Sequence, residues 1–98
     1  MIIMEQKQIL ALLKAKLGIS GTFRDEYLNH LILSVQDEIK KQKKIKFDIN
    51  RYDHIDFLID YSAFRYENRD NNILMPKHLQ YRLHNLMLEN LRSDVDVE

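Results

Sequence analysis

"DYSAFRYENRD" spans residues 60–70 and sets two tyrosines, a phenylalanine and two arginines among three acidic groups. Placed on a helix at about 100° per residue, Ile55, Leu58, Ile59, Ala63 and Tyr66 fall on one side of this segment. Phe57, Tyr61 and Phe64 fall roughly opposite them, with Asp56, Asp60 and Glu67 in a narrow acidic stripe between the two faces. Arg65 and Arg69 lie along the other seam. A helix that is apolar on two faces is either the centre of its own domain or packed against a second molecule.

The flanking sequence supplies three more helices. The first runs from about Met4 to Leu17, with Ile9, Leu10, Leu13 and Leu17 on one face and Gly18 suited to a left-handed C-terminal cap. The second runs from about Arg24 to Gln42, with Leu28, Leu31, Ile32, Val35 and Ile39 in one stripe and Leu33 alone pointing away. Thr22 followed by Asp25 resembles a capping box at its start. "KIKFDIN" (44–50) alternates apolar and polar residues and reads as a short extended link. Asn50 is the expected cap of the third helix, which continues to about Asn68. After the turn-forming run "NRDNNILMP" (68–76), Pro76 opens a fourth helix that extends to about Arg92. Its inward stripe is Leu79, Leu83, Leu86 and Met87, while Tyr81 and Leu88 sit on the far side.

These readings give an all-α fold over residues 1–92, a small four-helix bundle with a short extended link between helices 2 and 3, followed by an acidic tail at 93–98. A chain of 98 residues with two glycines and one proline fits one domain of helices joined by short turns. Cysteine is absent, so no disulfide is available, and we see neither a signal peptide nor an apolar run long enough for a membrane. Fifteen basic and fifteen acidic residues cancel, which argues against a dedicated nucleic-acid binder. The second apolar face of the third helix, with Tyr81, Leu88 and Leu33, exceeds what the surface of a lone small bundle needs. We read these groups as an interface.

Nothing in the chain points to catalysis or a cofactor. Histidines 30, 54, 78 and 84 lack HxxxH spacing, no cysteine completes a zinc site, and no glycine-rich phosphate loop is present. The serines lack an elbow-like glycine context. The acidic stripe Asp56, Asp60 and Glu67 has no second cluster to complete a set of cation ligands. "KKQKKIK" (40–46) carries five lysines, of which Lys40, Lys41, Lys43 and Lys44 are candidates for phosphate contacts in an alternative reading as a small nucleic-acid-binding or regulatory protein. The plainer reading is a solvated helix end that complements the macrodipole.

"LLKAKLGI" (12–19), "RDEYLNHLI" (24–32), "DYSAFRYENRD" (60–70) and above all "MPKHLQYRLHNLM" (75–87) resemble, in order and spacing, the small head–tail connector proteins of tailed phages and prophages of Gram-positive bacteria. The resemblance implies a non-enzymatic α-helical adaptor, made in the bacterial host cytoplasm and incorporated into the neck of the virion. Copies would form a ring of about twelve beneath the portal protein. The ring would extend the DNA channel without sequence-specific binding and present a surface to a stopper or tail protein. No metal or cofactor is implied. Phe57, Tyr61, Phe64 and Arg65 would then form one lateral contact of the ring, with Tyr81 and Leu88 as second candidates. Asp94, Asp96 and Glu98 would face the portal or the channel.

Overall fold

Among the described residues four helices follow one another: α1 (Gln6–Leu17), α2 (Asp25–Lys43), α3 (Tyr52–Glu67) and α4 (Lys77–Asp96). The structure is a computed structural model that describes residues 6–45, 48, 51–71 and 73–96, excepting the side chains of residues 90 and 92–96. The fold is all-α, with α3 at its centre. α1, α2 and α4 all pack on α3, and α1 also packs on α2.

The stripes expected from periodicity are the buried ones. Ile9, Leu10 and Leu13 of α1, the full α2 stripe, and Leu79, Leu83 and Leu86 of α4 join one core with Ile55, Leu58, Ile59, Ala63 and Tyr66 of α3. Leu33 is exposed, as its position opposite the α2 stripe requires. α2 crosses α3 so that its start and its later turns both reach the second half of α3. Tyr27 meets Tyr66 with ring centroids 6.1 Å apart, and Glu38 accepts a hydrogen bond from Arg65 at 3.0 Å. α4 runs antiparallel to α3, because Arg82 bonds Asp60 and Glu89 bonds Arg51.

The helix ends show which local signals the chain uses. Gly18 has φ 75°; its N–H donates to Ala15 and that of Ile19 to Lys14, the paired bonds of a Schellman cap. The capping box at Thr22 does not form. Arg24 holds the cap position without a side-chain bond, and the Asp25 carboxylate is drawn instead to Lys14 at 2.7 Å. Asn50 lies outside the described residues, and Arg51 occupies the cap position of α3. Pro76 offers its carbonyl to Leu79 and Gln80 just before α4, a place where its missing N–H costs nothing. α4 continues through Asp96 rather than ending near Arg92, so residues 93–96 of the expected tail are helical.

Lys44 closes α2 with φ 59°, a left-handed conformation rare for a side-chain-bearing residue. The turn delivers the next residue, Ile45, into the core at 1% exposure. The link between α2 and α3 is therefore anchored from below. His54, itself buried on α3, holds it further along by accepting the Asp48 N–H on Nδ1 at 2.9 Å.

Candidate functional site

The opening stretch resolves into a ladder of rings inside the molecule. Phe57 and Tyr61 stack with centroids 5.9 Å apart, and Tyr61 and Phe64 follow at 6.4 Å. Arg82 of α4 lies over Phe57 at 5.6 Å, and Arg65 lies over Tyr61 at 5.8 Å while its guanidinium meets Glu38 of α2. Both faces of α3 are thus covered by its own chain. This corrects the assignment of Phe57 and Tyr61 to a lateral contact: at 1% and 7% exposure they are core residues, since α4 and α2 close over them. Phe64 and Arg65 are half-buried and mark the edge of that cover.

Tyr81 and Leu88 stand where periodicity puts them, exposed on the face of α4 turned away from α3, with Leu91 exposed near them. Lys40, Lys41, Lys43 and Lys44 are exposed at the end of α2, and Lys41 pairs with Asp37 one turn earlier. Lys46, Phe47 and Glu98 lie outside the described residues, as do the side chains of Asp94 and Asp96. The acidic stripe is taken apart by pairing, because Asp60 holds both Lys16 at 3.2 Å and Arg82 at 2.6 Å. Burial works to raise the Asp60 carboxyl, but the hydrogen bonds from Arg82 and Lys16 outweigh it and hold it below the ordinary carboxylate value. Among the described residues, no group of His, Asp or Glu is placed to hold a metal ion, and no helix is long and apolar enough to cross a membrane.

Sequence periodicity misses a second surface, at the corner where the α1–α2 loop meets the end of α3. Phe23 is 98% exposed there, and Tyr27, on the first turn of α2, is 45% exposed. Arg24 donates to the Tyr66 hydroxyl and lies 5.9 Å from its ring centroid. Arg69 sits over the same ring at 4.3 Å and donates to the Tyr66 carbonyl at 2.6 Å. The run "TFRDEY" (22–27) reads locally as a helix start, and only the fold brings Arg69 to it. Tyr66 and Phe57 are nine residues apart on α3, which sets them half a turn from each other. The corner and α4 therefore lie on opposite sides of the central helix.

His54 gives the molecule a pH dependence with a definite sign. Burial is the main cause that pushes its pKa below the ordinary value, helped by Arg51 and opposed by Asp53, Asp48 and Glu89. A depressed folded pKa means that the neutral ring is the one the fold stabilises. Its contribution is present in full above about pH 6.5 and is lost as pH falls through the folded pKa. Urea unfolding should therefore give a flat stability from about pH 8 to 6.5 and a decline on further acidification. His54→Leu should flatten that part of the profile. An unchanged decline in the variant would assign it to the carboxylates.

No family model, curated protein or solved structure matches this chain.

Proposed function

We propose that this chain is a structural, non-enzymatic subunit of a phage or prophage neck. Its copies would form a ring of about twelve that joins the portal of the filled head to a stopper or tail protein and lets DNA pass through the centre. The observation that carries the reading is the pair of unlike surfaces on opposite sides of α3. One is the outer face of α4, with Tyr81 and Leu88; the other is the corner of Phe23, Arg24, Tyr27 and Arg69. A closed ring needs two different, complementary side surfaces on every subunit, because rotational packing is heterologous. Aromatic and arginine side chains are the usual anchors of such contacts.

The sequence resemblance supports the same reading from the packing segments at 12–19, 24–32, 60–70 and 75–87. In the sequence only Phe47 adjoins the lysine run, too few aromatics for a base-stacking platform. The zero net charge also gives a nucleic-acid reading little long-range field. Deleting the gene from its phage or prophage and imaging the induced lysate tests the proposal. Filled or partly filled capsids beside detached, complete tails are the expected result. Normal infectious particles would overturn it.

A further inference from the structure

The two surfaces on either side of α3 differ in charge as well as in position. At the corner Phe23 and Tyr27 are exposed, and Glu26, Glu67 and Asp70 stand exposed around them. None of these three carboxylates meets a cation among the described residues. Arg24 and Arg69 are engaged by Tyr66, through its hydroxyl, its carbonyl and its ring. Carboxylates outnumber guanidiniums there, so the corner is an aromatic tip with a negative rim.

The outer face of α4 has the opposite character. Lys77, Tyr81, His84, Leu88 and Leu91 are exposed and follow one another at steps of three or four residues, which makes them one stripe. No carboxylate stands on that stripe among the described side chains, and Lys77 at its start has no partner among them. Tyr81 and Leu88 are two turns apart, about 10 Å at 1.5 Å per residue, with His84 between them. That interval admits one aromatic ring. Lys77, one turn before Tyr81, then faces whatever surrounds the ring.

We infer that the Phe23 corner of one copy of this chain docks on the outer face of α4 of the next, with Phe23 between Tyr81 and Leu88 and the carboxylate rim against Lys77. The inference rests on the ring reading and deepens it by naming which surface receives which. Complementary charge selects this pairing. Corner against corner would oppose two negative rims, and α4 against α4 would leave Phe23 in water. Each copy uses its corner once and its α4 face once, so copies join head to tail and do not stop at a pair. The contact is small, and ring closure adds to it because every copy makes it twice.

The chain has no native cysteine, so one can be set beside each surface without removing the groups that make the contact. Thr22 adjoins Phe23, and Asn85 lies one turn from both Tyr81 and Leu88; both positions are exposed. A Thr22→Cys chain and an Asn85→Cys chain are mixed in equal amounts at high concentration and treated with a short bis-maleimide. The mixed dimer is expected to exceed either self-linked dimer several-fold. Adding Phe23→Ser to the first chain, or Leu88→Asp to the second, should reduce it about tenfold. Lys77→Glu in the second chain should reduce it about threefold, and Glu26→Lys with Glu67→Lys in the first should recover it. Circular dichroism of each variant confirms that the helices remain. A mixed dimer indifferent to these changes, or no excess of mixed dimer, overturns the inference. So does a predominance of dimers linked through Asn85 alone, which would make the α4 face a two-fold contact. The ring reading is judged separately: detached tails in the deletion lysate without a mixed dimer would keep the neck role and reject this contact.

Discussion

Phe57→Ala is expected to lower the free energy of unfolding by about 3–5 kcal/mol, enough to unfold a large part of a chain this small. Phe57 is almost wholly enclosed, stacked on Tyr61 and roofed by Arg82, so removing its ring leaves a cavity that three elements cannot collapse to fill. The same truncation at Tyr81, exposed on α4, should change stability by no more than about 0.5 kcal/mol. Urea unfolding of the two variants beside the parent checks both figures. The contrast matters because both residues are large aromatics that periodicity places on the second face of a helix. A near-neutral Phe57→Ala would mean that the ring belongs to a contact between molecules and that α4 does not cover it.

Ile45→Ala is expected to cost about 2–5 kcal/mol despite lying outside every helix. Ile45 is 1% exposed and directly follows the left-handed Lys44, so the strained turn has a partner in the core that repays it. Without the side chain, the link loses its anchor while keeping the bond from the Asp48 N–H to His54. Hydrogen exchange should then show the Asp48 amide opening with the link at much lower free energy than global unfolding. An Asp48 amide that stays as protected as the helices would show that His54 alone holds the link, and that Ile45 fills space without positioning it.

The α2 stripe from Leu28 to Ile39 and the inward stripe of α4 could be read from spacing alone, because one apolar face meets one partner. The Gly18 cap was readable for a similar reason: a left-handed position is a local demand that only a few residues meet at low cost. Phe57 and Tyr61 were not placed correctly, since a sequence pattern reports that a face is apolar and says nothing of what covers it. Here the cover is the aliphatic and guanidinium bulk of Arg82 and Arg65, two residues that composition counts as charge. The Thr22 capping box failed through a competitor far away in the chain, Lys14, which takes the Asp25 carboxylate. The corner at Phe23 is invisible to spacing because Arg24 and Arg69 are forty-five positions apart and are brought to one place by the Tyr66 ring.

The placement of Asp60 bears on how the helices are set against one another. One carboxylate on the central helix grips Lys16 of α1 with one oxygen and Arg82 of α4 with the other. The first and last helices, which meet chiefly through α3, are thereby hitched to the same post. Each pair is partly exposed and contributes at most about 1 kcal/mol, so the shared carboxylate fixes where α1 and α4 sit along α3 while the apolar core holds them there.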